Sequence, residues 1–379
     1  MSASDPIGVY IHVPFCAYRC AYCDFAVVTG QLARAGEYLA AVQREIEAFR
    51  RHWGPQSVET LYFGGGTPSR LDPDAVARLL EAVAGLGNLE ADAEISLEAN
   101  PDDLTPERLA GLRRAGVTRL TVGLQAVDDQ RLEDIGRPLP GKLGLVALAR
   151  SLEAGFASVG ADLIFGTPGQ ATAPWMAELE AVLQVGPPHI SAYALETTSR
   201  TRLVRAVERG ELPAPDPDHA ATLYEMTCQR LGQAGLERYE ISNFARPGHR
   251  SRHNRLYWRD RPFVGFGPSA ASYFARRRWT NPRRLSEYLR TAGESPPGAA
   301  VAPCPADRLA GEALVFGLRL AEGVDFETVS RHYGEVDLAP RRRVLDRAVA
   351  TGLVARQGSR YRLTGRGVLL ADEVFVDLL

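Results

Sequence analysis

Six short apolar runs punctuate the first 243 positions: Val9 to Val13, Val58 to Phe63, Glu94 to Ala99, Arg119 to Leu124, Val159 to Phe165 and His189 to Leu195. Stretches with helical periodicity separate them, at Glu37 to Arg50, Pro73 to Ala84, Pro106 to Ala115, Leu143 to Ala154 and Pro174 to Leu183. The short runs read as strands and the periodic stretches as amphipathic helices. Their alternation predicts a parallel sheet with both faces covered. About six such units are too few for an eight-fold barrel. The expected fold class is therefore α/β, with an open, partial β/α barrel over residues 1–243 and its ligand site at the C-terminal strand ends.

Residues 244–379 read as a second, smaller domain. Gly293 to Pro305, rich in Pro and Ala, reads as a linker within it. Helical patterns follow at Ala306 to Leu320, Phe326 to His332 and Pro340 to Thr351, then a hairpin-like Leu353 to Leu363 turning at Gln357-Gly358-Ser359. This α-rich order is compatible with a winged helix. Arg341, Arg342, Arg343, Arg356, Arg360, Arg362 and Arg366 raise the question of nucleic acid. A solvated or partner-facing surface is the plainer reading, because no aromatics interleave with them.

Composition narrows the class. The 379 residues are 45% hydrophobic and 24% charged, as in an ordinary globular protein. No apolar run approaches a membrane span, and the N-terminus lacks the pattern of a signal peptide, so a cytoplasmic location is expected. A net charge of -2 gives no electrostatic case for nucleic acid as a partner. Lys142 is the only lysine, which argues against Schiff-base chemistry and against a lysine-dependent phosphate loop.

The chemistry concentrates just after the first run, in Cys16-Ala-Tyr-Arg-Cys20-Ala-Tyr-Cys23-Asp24-Phe25, with Cys228 and Cys304 far away in the chain. Three soft ligands without a fourth suit a 4Fe-4S cluster that leaves one iron open to a small chelator. S-adenosylmethionine (SAM), through its amino and carboxylate groups, is such a chelator. Structural zinc is the competing reading and would have to recruit His12 or Asp24. A disulfide framework meets an odd cysteine count, and a Cys20-x-x-Cys23 redox pair leaves Cys16 unexplained. Further polar residues mark successive strand ends: the glycine turn Gly64-Gly65-Gly66-Thr67 after the second run, Glu98, Gln125 and Asp162. One such residue per strand is hard to attribute to packing and points to a shared pocket.

These stretches, with Tyr10-Ile-His-Val-Pro-Phe-Cys16, Glu98-Ala-Asn-Pro101, Gly123-Leu-Gln125, Asp162-Leu-Ile-Phe-Gly-Thr-Pro-Gly169 and Tyr239-Glu-Ile-Ser-Asn-Phe-Ala245, are similar to radical SAM proteins of the oxygen-independent coproporphyrinogen oxidase superfamily. Within it, the chain most resembles the HemW-type heme chaperone branch. The resemblance implies that Cys16, Cys20 and Cys23 ligate the cluster. It also implies that Gly65, Gly66 and Thr67 meet the methionine end of SAM, and that Tyr10, Tyr22, Glu98, Gln125, Arg137 and Asp162 line its pocket.

Two features separate chaperone from oxidase. The oxidases carry a further cysteine two residues after the third, where this chain has Phe25, and a longer N-terminal arm. The segment His253-Asn254-Arg-Leu-Tyr257-Trp258 resembles a chaperone-branch signature associated with heme, which implies His253 as a heme ligand. Read without the resemblance, His253 is a satisfied interior histidine with Tyr257 and Trp258 packed on a core. Two departures concern the heme or substrate pocket: Gly265 to Ala271 has no histidine where relatives usually place one, and Leu195 to Thr201 lacks their acidic-Pro-Gly pattern. The resemblance implies heme and recipient hemoproteins, among them those of the respiratory chain, as partners. It allows a homodimer and peripheral membrane association. The alternative it leaves open is a radical enzyme acting on a porphyrin.

Overall fold

The computed structural model describes residues 5–197 and 201–379. The first four residues of the N-terminus read for targeting, and positions 198–200 of the 195–201 segment, lie outside the described residues. Strands β1 (Ile7–Val13), β2 (Gln56–Gly65), β3 (Gly87–Ala99), β4 (Arg119–Gln125), β5 (Ser158–Phe165) and β6 (His189–Ala194) lie side by side in chain order, all parallel. Helices Ala35–Trp53, Pro73–Ala84, Pro106–Arg114, Gly141–Glu153 and Thr172–Val185 connect them. Burial explains the choice of state. Every residue of β1 except Tyr10 is buried, while helix Ala35–Trp53 buries one stripe that includes Tyr38, Leu39, Val42, Ile46 and Phe49.

The sheet extends beyond the six expected strands. On the far side of β6 lie β7 (Glu237–Arg238) and β8 (Asn243–Ala245), with β8 antiparallel to both neighbours. On the other side, β9 (Phe263–Phe266) runs parallel to β1, followed by the antiparallel β10 (Ala271–Phe274) and β11 (Arg277–Thr280). Eleven strands therefore form one open sheet with β11 and β7 at its edges. It runs across position 243, where the sequence suggested a boundary. Tight backbone approach explains the glycines here: a Cβ on Gly265 would lie 2.3 Å from the Ala271 carbonyl oxygen, and one on Gly267, at φ +100°, 2.5 Å from that of His12.

The buried Glu45 carboxylate secures this added layer. It accepts hydrogen bonds from the Gly267 amide (3.1 Å), the Asn281 amide group (2.7 Å) and the Tyr288 hydroxyl (2.7 Å). The expected linker is packed as well, since the Trp53 indole donates to the Pro297 carbonyl at 2.9 Å. Helices Ala306–Arg319, Phe326–His332 and Ala339–Ala350 precede the hairpin Val354–Gln357 and Arg360–Leu363, to which Val324–Asp325 adds a third strand. This is the helix-rich order with a hairpin that the sequence suggested. Three of the seven arginines face carboxylates: Arg341 grips Asp307 with two bonds of 2.6 and 2.9 Å, Arg342 pairs with Glu327 and Arg356 with Asp346. Among the described residues no helix is long and apolar enough to cross a membrane.

Candidate functional site

A cavity of about 550 Å³ opens at the C-terminal ends of the parallel strands. The chain leaves β1 directly into the cysteine loop, and strand register does the rest. Val13 pairs with Gly65, Glu98 with Thr121, and Gly123 with Asp162, which in turn pairs with Ser191. Side chains two apart on one strand share a face, so one edge delivers all these groups to one space. Cys16, Cys20, Cys23, Tyr22, Gly65, Gly66, Thr67, Glu98, Gln125, Arg137 and Asp162 all line it.

The cysteines are free and half-buried, and the groups beside them come from other loops at the same sheet edge. The Thr67 hydroxyl lies 3.4 Å from the sulfur of Cys16, and an Arg137 nitrogen lies 3.9 Å from that of Cys20. Arg137 is held by the Gly123 carbonyl at 2.8 Å and by Asn100 Oδ1 at 3.2 Å. Burial pushes the Cys16 thiol up to about 11 and raises that of Cys23. The three thiols line a volume without converging on a point. Among the described residues, no group of three or more His, Cys, Asp or Glu is gathered for a single metal ion. Three thiols and no fourth soft donor are a donor set that suits an iron-sulfur cluster with one open iron.

Two half-buried carboxyl groups share the cavity with the thiols. Glu98 accepts the Tyr62 hydroxyl at 2.7 Å and the Gly65 amide at 3.3 Å, and burial raises it above the usual carboxylate range. Burial also raises Asp162, to about 7, with the Glu98 charge adding to the effect. Its Oδ1 is buried without a hydrogen-bond partner, a state that a ligand hydroxyl or cation would relieve. The glycine turn is a cradle. A Cβ on Gly66 would lie 2.8 Å from the Val13 carbonyl oxygen, and one on Gly65, at φ +106°, 2.5 Å from the His12 ring. These features fit SAM and a cluster together.

Tyr10 and His253 are not among the residues lining the cavity. Tyr10 stacks on Tyr62, with ring centroids 6.2 Å apart, and its hydroxyl meets His12 Nδ1 at 3.2 Å. It therefore stands behind the pocket wall. His253, which the resemblance implies as a heme ligand, lies inside the fold. The residue is 1% exposed, and both ring nitrogens are engaged, Nδ1 by the Thr60 hydroxyl at 2.8 Å and Nε2 by that of Tyr257 at 2.7 Å. Burial holds its pKa down at about 3. Glu94 fixes the short helix that carries it, Arg252–Trp258, by accepting the amides of Arg252 and His253 at 3.0 Å each. Trp258 packs under Arg319, 4.3 Å from the ring centroid, and joins the barrel to the C-terminal unit. The motif is a piece of interior architecture.

The structure adds residues that the sequence did not single out. Asn100 and Thr121 line the cavity; Thr121 lies two positions from Gly123 on β4, so strand alternation could have found it, and Asn100 follows the end of β3, two positions from Glu98. Tyr18, beneath the Arg137 guanidinium at 6.0 Å, and Tyr193 carry no such signal. Gln125 sits at φ +69° beside a register shift in β4. Such strain in a residue other than glycine is typical of functional positions.

Comparison with known proteins agrees with this geometry. The radical SAM superfamily signature matches residues 10–180, and that of the HemN C-terminal domain matches residues 305–370. The heme chaperone HemW of Mycobacterium tuberculosis is 39% identical, over 99% of this chain and 95% of its own length. That of Bacillus subtilis is 33% identical, over 97% of this chain and 98% of its own length. The solved coproporphyrinogen III oxidase HemN of Escherichia coli superposes with a TM-score of 0.85 at 24% identity, covering all of this chain and 91% of that one. That likeness concerns the fold.

Proposed function

We propose that this chain, which belongs to the heme chaperone HemW family of radical SAM proteins, binds heme and passes it to hemoproteins, using a 4Fe-4S cluster and SAM as part of that task. The observation that carries this reading is the near full-length match to relatives named heme chaperones, with Phe25 in place of the further cysteine of the oxidases.

Cys16, Cys20 and Cys23 would hold the cluster, and Gly65, Gly66, Thr67, Glu98, Gln125, Arg137 and Asp162 would hold SAM. When bound, the cluster supplies a one-electron relay and an open iron that can anchor the amino acid end of SAM. The chain's own residues do the positioning. Arg137 places a fixed positive charge beside Cys20 and is itself braced by Gly123 and Asn100. Asp162 offers an unpartnered oxygen to a hydroxyl or cation, and the glycine turn brings backbone close to the ligand. Recipients in the respiratory chain, and a homodimer at the membrane surface, are the finer expectations that accompany this reading.

The test uses cluster-loaded, SAM-bound protein charged with heme and mixed with an apo-hemoprotein. Heme should move to the acceptor. In a parallel reaction with a reductant and coproporphyrinogen III, the porphyrinogen should be recovered intact. Decarboxylated product would establish the enzyme reading in its place.

A further inference from the structure

We infer that heme docks in a hollow at the mouth of the cluster cavity, on Phe25 and a group of arginines; this rests on the heme-chaperone reading above. The hollow, of about 510 Å³, falls within the range of about 300–1,000 Å³ usual for small-molecule sites. Its floor is apolar, with Val27, Val28, Leu285 and Phe25, and its rim holds Arg19, Arg34, Arg283 and Arg284. Among the described residues no carboxylate lines it. Arg19, Phe25 and Val27 also line the cluster cavity, so the two spaces share a wall.

Phe25 is 56% exposed, an unusual setting for a phenylalanine in a loop otherwise devoted to cluster binding. The charges around it are also largely unanswered. Among the described residues, Arg19, Arg283 and Arg284 form no ion pair, whereas Arg34 pairs with Glu37 on the surface. Arg283 reaches the Asp24 carbonyl and so ties the rim to the cysteine loop. A second hollow, lined by Arg202 and Arg205 with Arg19 and Arg283, continues the positive rim past Cys20 and Cys23, and among the described residues Asp24 is its one acidic wall residue.

A flat apolar body carrying two carboxylates matches an exposed aromatic ring beside a forked guanidinium group. Heme is such a body: its tetrapyrrole would lie on Phe25 and the aliphatic floor, with its propionates on the arginines. An acidic protein would use the arginines, but it would leave Phe25 and the floor without a purpose. The placement also replaces His253 with a surface that an incoming molecule can reach.

The experiment is a heme titration of cluster-loaded protein, wild type against Arg34→Ala/Arg284→Ala and against Phe25→Ala, with iron content as the check that the cysteine loop is intact. A second ligand, heme with both propionates esterified, is titrated in parallel. The expected result is about tenfold weaker heme binding in the arginine pair, a similar loss in Phe25→Ala, and no effect of the arginine pair on the esterified ligand. Saturable binding by the wild type with unchanged affinity in the arginine pair and in Phe25→Ala would overturn the docking site alone. A wild type that binds no heme would overturn the chaperone reading beneath it.

Discussion

The imidazole of His253 stacks on the ring of Tyr62, with centroids 5.0 Å apart and planes 25° from parallel, and neither ring lines the cavity. Tyr62 then hands its hydroxyl to Glu98, which does line it. His253 thus supports the site through Tyr62. His253→Ala should remove the partner of both the Thr60 and Tyr257 hydroxyls and leave a void, at a cost of about 2–4 kcal/mol in stability. Chemical denaturation measures that loss. Heme affinity of the folded variant should stay within a factor of about three of wild type, and a larger drop would return the residue to the heme site.

Cys16→Ser should fold and yet fail to retain iron after anaerobic reconstitution, because two thiols and a hydroxyl no longer match the soft donor set. Circular dichroism would report the fold and iron analysis the loss. A variant carrying wild-type iron would show that Cys16 is not a ligand.

Gly66→Ala should weaken SAM binding at least tenfold with the cluster still present. The added methyl meets backbone at Val13 and Pro14, at 2.8 and 2.9 Å, and backbone cannot swing aside as a side-chain tip can. Equilibrium dialysis with SAM decides this, and unchanged affinity would mean that the turn does not meet the ligand.

The pH dependence of Asp162 has a definite sign. Its folded pKa of about 7 lies above the usual value, so the native state holds the proton more tightly, and stability falls as pH rises from about 4 through 7. His253 works in the opposite sense. Its folded pKa of about 3 lies below the usual value, so stability falls as pH drops from about 6.5 towards 3. Asp162→Asn should therefore raise the melting temperature of ligand-free protein by a few degrees more at pH 8 than at pH 5. An equal effect at both pH values would contradict a carboxyl group whose ionisation burial opposes.

Much of this architecture is legible in the sequence, for a reason visible in particular residues. β1, β4 and β5 are buried along both faces, so their apolar runs stand out, and the polar interruptions Gln125 in β4 and Asp162 in β5, with Glu98 near the end of β3, mark the site by contrast. The first half of β3 is exposed and pairs with β2 around Gln56–Val58, so Gly87 to Asp92 carries no apolar signal and the strand reads too short. The short strands β8 and β9 depend on neighbours distant in the chain, β6 and β1, and nothing local announces them. His253 shows the remaining limit. A histidine beside aromatics has the same local pattern as a metal ligand or as a core residue, and only Thr60, 193 positions away, decides between them.

The most direct test of the account is the binding isotherm of heme with the cluster-loaded wild-type protein, followed by its visible spectrum under anaerobic conditions. The account predicts saturable binding that His253→Ala leaves essentially in place and that Arg34→Ala/Arg284→Ala weakens by about tenfold. Linear, unsaturable uptake by the wild type would contradict it.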